Sequence, residues 1–553
     1  MASPPSRRAF LELLALGAAT TTAGSLLTGC SKSPAGSGTA QNLNAFDAIL
    51  PAQQDLAIGV KPDILGTRPV PDGYTRYPTD LIDAIPGKPG TSGQPITAMT
   101  PVWGPAPPGT ARSAYLQAVN AELGTPVEFT VQDGNTYADK LNAMLGARDV
   151  PELLCVPGWE IEKIPRFAQA TQLLFTDLTD RLRGEAVRSY PMLGSFPTAA
   201  WRNAVWNGRL FAIPNPADTP FPYALFTRKD LLDARGSAMP AGLDELLALG
   251  KEITDPARGV WAFSDLFAMM QMYHRVPGAK GGWRLTSDRT PEFKYETPEY
   301  RQALEVMTKI YRDGLVHPAL AASKGADQDQ LFASGAIVFA QAGLGFWQAA
   351  QARQQKINPK VNFQPVPVFA AAGGDPLVWG ADQPISYTFL RKDLSPDRVD
   401  ELLRIINWCS APLGTAEAQL RDYGVTGKHH TATPDGPVRT PLALTENVNQ
   451  YFFISGRNPS VGPFPDTPNY VWDVLTYSNS IVRYLERDPW EGLKLEMPTA
   501  YKAGAVPFEE KFTDVLRGRR PLSDVDAIVR EWRENGGEQA RALLAKALSE
   551  AGR

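Results

Sequence analysis

ITAMTPVWG (96–104), ARSAYLQAVNAELG (111–124), VEFTVQ (127–132), NTYADKLNAML (135–145) and LLCVPGW (153–159) decide how this chain folds. Ile96 to Val102 is an apolar run that stops at Trp103-Gly104 and predicts a strand. Arg112 to Leu123 sets Tyr115, Leu116, Val119 and Leu123 on one helical face, with Gly124 where a C-terminal cap belongs. Val127, Phe129 and Val131 alternate with Glu128, Thr130 and Gln132, which is strand periodicity. Asn135 can cap a helix carrying Tyr137, Leu141, Met144 and Leu145. Leu153 to Val156 predicts the next strand, ending in Pro157-Gly158-Trp159. Strand, helix, strand, helix, strand calls for right-handed crossovers and a mainly parallel sheet.

The pattern continues outward. Pro298 to Asp313 predicts a helix with Tyr300, Leu304, Met307 and Tyr311 on one face. Ser395-Pro396 is a cap followed by proline in the first turn, leading Leu402, Ile405, Ile406 and Cys409. Ser523 to Asp526 resembles a capping box ahead of Val525, Ile528, Val529 and Trp532. On the amino-terminal side, residues 59–109 hold eleven prolines and eight glycines, an irregular lead-in with little room for helix. SKSPAGSGTAQ (31–41) before it is small and polar and is expected to be a flexible tether.

The first thirty residues are a different material. Arg7-Arg8 precede Phe10-Leu11 and a modest apolar run, the plan of an export signal, and the arginine pair resembles the twin-arginine type. Glu12 and the threonines make that run a poor permanent span. Leu27-Thr28-Gly29-Cys30 resembles a lipobox, which would make Cys30 the lipidated amino terminus. The alternative is an ordinary cysteine beside a signal-peptide cut. No other run approaches the ~18 apolar residues of a span, so acyl chains would be the only anchor.

The 553 residues carry a net charge of −4, 43% hydrophobic residues, four histidines and three cysteines. That excludes wholesale disorder, argues against a nucleic-acid binder, and leaves little for a disulfide scaffold or a Cys/His metal cluster. Removing residues 1–29, net +1 through Arg7, Arg8 and Glu12, leaves about −5. No P-loop, dinucleotide fingerprint, zinc-protease helix or nucleophile elbow is present. His429-His430 is the one histidine pair, and adjacent residues point different ways, so no metal site is expected there. Paired carboxylates of a glycosidase stay open, because sequence does not show which carboxylates lie close together.

What recurs is tryptophan beside a turn or strand end: Trp103, Trp159, Trp261, Trp283, Trp347 and Trp379. Half-exposed indoles offer flat apolar faces to sugar rings while amides and carboxylates bond hydroxyls. The plainer reading makes them core filler, and about half of the six are expected to touch a ligand.

Several ordered segments resemble a known family. WNGRLFAIP (206–214), LFTRKDLL (225–232), YRDGLV (311–316) and LFASGAIV (331–338) are similar to segments of the family 1 extracellular solute-binding proteins of ABC importers. NW (407–408) with YGVTGKHH (423–430), and GRRPL (518–522) with WRENGG (532–537), resemble the LipO/YtcQ-like lipoprotein branch. The resemblance covers about residues 93–548. It implies a two-lobed periplasmic-binding-protein-like α/β fold of type II, with two mainly parallel sheets flanked by helices and a ligand cleft between lobes. The lobes would be 93–216 with 384–455, and 217–383 with 456–553, after a signal peptide (1–30) and the tether and lead-in (31–92). By position in the family pattern Trp261, Phe263, Gln341, Trp347, Trp379 and Asp382 line the cleft. Trp103 and Trp159 stand at strand ends, Trp283 joins them as an aromatic candidate, and Asn215 and Asp218 follow the first crossover.

The function implied is a lipid-anchored monomer on the outer face of the cell membrane that passes a sugar or oligosaccharide to an ABC permease. It would need no cofactor, metal, nucleic acid or catalytic residue. A secreted glycosidase or lyase and a sensory lipoprotein without transport are the alternatives.

Overall fold

The computed structural model describes residues 39–552 except 57–59, 162, 163, 165, 218, 323–326 and 381–383. Arg7, Arg8, Cys30, Asp218 and Asp382 therefore lie outside the described residues.

Two sheets organise the described chain. Their strands are β1 (Ile96–Val102), β2 (Val127–Asp133), β3 (Leu153–Pro157), β4 (Ala212–Asn215), β5 (Ala224–Arg228), β6 (Trp261–Phe263), β7 (Ile337–Ala342), β8 (Phe363–Pro365) and β9 (Ser386–Leu390). The first sheet has the order β2-β1-β3-β9-β4 and the second β6-β7-β5-β8. β1 is parallel to β2 and β3, whereas β9 is antiparallel to β3 and β4. β6 and β7 are parallel, and β5 is antiparallel to β7 and β8.

Each sheet thus has one reversed strand, and the reason is connectivity. β5 and β9 are the strands entered directly after the chain crosses between sheets. They start at the end where the other strands finish, so they must run the opposite way. Asn215 and Ala224 are close enough in sequence that the ends they occupy lie within about 30 Å. That end of each sheet is called the crossover end below.

The helices form largely where periodicity puts them. Helix α1 (Ala114–Leu123) begins after a 3-10 turn at Thr110–Arg112, with the Ser113 hydroxyl accepting the Leu116 N–H. Gly124 closes it in the left-handed region. Helix α2 (Tyr137–Ala147) starts from Thr136 rather than Asn135, whose N–H and side chain both bond Asp133 Oδ1 within the turn. Helices α3 (Pro298–Arg312) and α4 (Pro396–Cys409) carry Thr297 and Ser395 as working caps. Before α5 (Val525–Trp532), Ser523 and Asp524 sit in a 3-10 turn and make no side-chain cap, so the sequence's capping box does not form.

Two hydrophobic cores result. One is built from residues of 96–213 and 387–454, including Ile96, Val119, Leu153, Ile213, Phe389 and Leu402, and also Leu50. The other draws on 221–378 and 471–548, including Phe226, Leu304, Phe339, Val474, Phe512 and Trp532, and also Val70. They are called lobe 1 and lobe 2. The end of the expected tether is ordered, because Thr39–Asn42 pairs antiparallel with Leu493–Glu496. Cys155 and Cys409 are buried free thiols, and burial pushes each up to about 12, so neither is reactive. Among the described residues no helix is long and apolar enough to cross a membrane.

Candidate functional site

The crossover end of the first sheet presents an aromatic surface. Trp103 follows β1 and Trp159 follows β3, with 50% and 47% of their surfaces exposed. Their ring centroids are 5.9 Å apart at 51°, and Phe453 lies 6.0 Å from Trp103. Backbone proximity holds both indoles out. A Cβ on Gly134 would stand 2.2 Å from Trp103 Cε2, so glycine lets that ring lie on the turn after β2. A Cβ on Gly158 would stand 2.3 Å from the Pro384 carbonyl oxygen, and the Gly158 N–H donates to Ile385 O. That close approach fixes where Trp159 leaves the sheet.

Asn215 closes β4 beside this surface and is 1% exposed. Its Nδ2 donates to Ser386 Oγ at 3.4 Å and to Phe452 O at 3.3 Å, and its Oδ1 has no partner. Arg457 lies with its guanidinium 5.5 Å from the Phe452 ring, and its Nη1 is 3.5 Å from Asp422 Oδ2. Phe452, Phe453 and Arg457 were not singled out from sequence. The available signal was a doubled aromatic just before Gly456, where the chain leaves lobe 1.

At the crossover end of lobe 2, Gln341 is the penultimate residue of β7, and its Oε1 accepts the Met269 N–H at 3.0 Å. Asp265, also missed, follows β6, where its Oδ2 accepts the Tyr311 hydroxyl at 2.8 Å. Tyr223, one residue before β5, is 40% exposed. Trp379 lies on the return crossover, half-buried against lobe 2, with its indole N–H donated to Val276 O at 2.8 Å.

The remaining candidates are placed elsewhere. Phe263 is fully buried against Phe339 and Gly250. Trp347 is buried and edge-on to Phe226 and Tyr470. Trp283 is buried among Phe293, Tyr501 and Trp532. In this conformation all three are core. Trp261 opens β6 opposite Ile337, the start of β7, so it sits at the end of the sheet away from the crossovers, against His317.

His429 and His430 are both buried and do point different ways. His429 Nδ1 accepts the Val425 N–H, and its Nε2 faces Glu446 Oε2 at 3.2 Å. His430 faces Tyr423 O and Thr426 Oγ1, and burial lowers its pKa. Both are tied into local backbone. Among the described residues no group of His, Cys, Asp and Glu is disposed to hold a metal ion.

Two α/β sheets joined by crossovers, with exposed aromatics where the strands end, define the two-lobed class of binding proteins. The profile of the bacterial extracellular solute-binding protein family matches residues 114–412, and the chain belongs to that family. A Bacillus subtilis (strain 168) relative, the polygalacturonan/rhamnogalacturonan-binding protein YtcQ, is 21% identical over 335 residues, 58% of this chain and 64% of the relative. The alignment thus leaves more than a third of that relative uncovered. Among solved structures, the alginate-binding protein AlgQ2 without calcium ion is similar at TM-score 0.59 and 14% identity. The match covers 84% of this chain and 100% of that one. The Streptococcus pneumoniae substrate-binding protein FusA in complex with kestose is similar at TM-score 0.58 and 13% identity, covering 83% and 99%. These likenesses establish the fold.

Proposed function

We propose that this protein binds a sugar or oligosaccharide between its lobes and delivers it to an ABC importer without chemically altering it. The observation that carries this reading is the half-exposed Trp103–Trp159 pair, 5.9 Å apart at the strand ends of lobe 1. Indole faces set at an angle grip the C–H faces of successive sugar rings, and Asn215 Oδ1, buried and unpartnered, lies at the same end of the sheet, two strands from β3. The relatives named for polygalacturonan, alginate and kestose binding support a glycan ligand. Gln341 and Trp379 are the opposing candidates, and Asp218 and Asp382 are candidates by sequence alone. The lobes in this reading take 93–216 with 384–455, and 217–383 with 456–553. Ligand that touches both lobes favours their closed arrangement, and closure is what a permease would recognise.

Arg7-Arg8 and the lipobox at Cys30 support export by the twin-arginine route and lipid anchoring of a monomer at the outer face of the cell membrane. Thermal shift and calorimetry against oligogalacturonides, fructo-oligosaccharides and malto-oligosaccharides test the ligand. At least one series is expected to stabilise the protein with unchanged sugar recovered. No shift at millimolar concentration, or cleaved product, overturns the reading. Incorporation of labelled palmitate that disappears in Cys30→Ser tests the anchor.

A further inference from the structure

Apart from the Ile64–Gly73 bridge, the described residues of 39–92 have no sheet of their own, and a proline- and glycine-rich chain must still satisfy its remaining backbone polar groups. It does so on the two lobes in alternation. Thr39–Asn42 pairs with Leu493–Glu496, a strand whose Leu493 belongs to the lobe 2 core. Asp47 then meets Arg202, Leu50 enters the lobe 1 core, and the Gln54 N–H donates to Gly194 O. The chain next returns to lobe 2, where the Thr67 N–H donates to Asn479 Oδ1 and Val70 is buried in that core. Tyr77 stacks edge-on with Tyr423, and the Ile82 N–H donates to Gly414 O. The Thr91 and Ser92 N–H groups end the segment on the Glu401 carboxylate of lobe 1.

One side chain crosses beside the first of these contacts. Lys494, in the strand that receives Thr39–Asn42, sends its Nζ to Asn203 O at 2.8 Å and Val205 O at 2.6 Å. Its Nζ lies 3.2 Å from the centre of the Trp206 ring, and Trp206 belongs to the lobe 1 core. A lysine on a lobe 2 strand therefore spends its donors and its ring contact on lobe 1. Burial, with Lys280 nearby, holds this amine well below the usual lysine range.

We propose that residues 39–92 are an interlobe strap that narrows the swing of the two lobes, with Lys494 as the pin that fixes its first strand against lobe 1. The inference does not depend on the ligand being a sugar.

Full-length protein with Cys30→Ser, spin-labelled at Lys140→Cys in lobe 1 and Glu252→Cys in lobe 2, reports the interlobe distance without ligand. Both positions are exposed, and the two remaining native thiols are buried. Lys494→Met keeps the aliphatic stem but removes the donors, and the expected distribution is roughly twofold broader. Lys494→Arg is the conservative control and should restore much of the narrow distribution. Because Lys494→Met can also disturb folding, the second arm places a specific protease site at residues 55–60 and compares the same protein before and after cutting. Cutting is expected to broaden the distribution while circular dichroism stays unchanged. Superimposable distributions in folded Lys494→Met and cut protein overturn the proposal. Broadening in one alone keeps that element and overturns the other.

Discussion

Two aromatic clusters in this molecule use the same residue types at the same spacing for opposite ends. Around Trp283, the rings of Phe293, Tyr501 and Trp532 lie 4.9–6.3 Å away, and none of the indole surface is exposed. Around Trp103, the rings of Trp159 and Phe453 lie 5.9 and 6.0 Å away, yet half of that indole faces solvent. Ring spacing does not separate a buried core from an exposed aromatic surface; placement relative to the sheet does. The first cluster joins the 283–293 hairpin to helix α5. The second stands beyond β1 and β3, at the crossover end of the first sheet.

The largest effect expected is on stability, from emptying the buried cluster. Trp283→Ala should cost about 3–5 kcal/mol in denaturant unfolding, because a cavity replaces a fully buried indole. Affinity per folded molecule should not change. A wild-type unfolding curve would show that the ring is not holding lobe 2 together.

Next is the carboxylate that anchors the lead-in to lobe 1. Burial opposes the charge of Glu401, but the Ser92 and Thr91 amides and Arg398 outweigh it and hold the carboxyl at about 2, below its ordinary 4.5. The folded value is the lower one, so ionised Glu401 stabilises fully above about pH 4.5, and the contribution fades as pH falls toward 2. Glu401→Gln should therefore cost about 2–3 kcal/mol at pH 7 and much less at pH 2. An equal deficit at both pH values would assign the loss to geometry rather than charge.

The exposed cluster should respond in the opposite sense to the buried one. Trp103→Ala and Trp159→Ala are each expected to weaken binding of the stabilising glycan by about 1–2 kcal/mol, roughly tenfold, by calorimetry. Stability should shift by less than about 1 kcal/mol. If binding is untouched while stability collapses, these rings are core after all.

The α/β alternation over 96–157 was legible because each element there carries its own period and punctuation. Ile96–Val102 is a strand as expected, and Gly124 ends its helix as glycine should. The reversed strands β5 and β9 were not legible, since direction follows from connectivity rather than from side-chain pattern. The candidate site was legible only in part for a related reason. Trp103 and Trp159 could be placed because each ends a strand that sequence defines. Trp283 and Trp347 look the same locally and are buried by partners such as Trp532 and Tyr470, far along the chain. The lead-in gave no periodic signal, because its order comes from surfaces supplied by both lobes.

Trp261 is the finest test of placement as the deciding variable. It is half-buried, it neighbours an otherwise buried strand, and the family pattern points it toward the cleft, so local criteria put it with Trp103. Its register opposite Ile337 puts it at the other end of the sheet, 4.6 Å from the His317 ring centroid. Trp261→Phe keeps an aromatic contact with that histidine. It should change stability by no more than about 1 kcal/mol and affinity by less than about twofold. A tenfold loss would mean that ligand reaches the far end of the lobe 2 sheet, and strand polarity would no longer separate binding aromatics from structural ones.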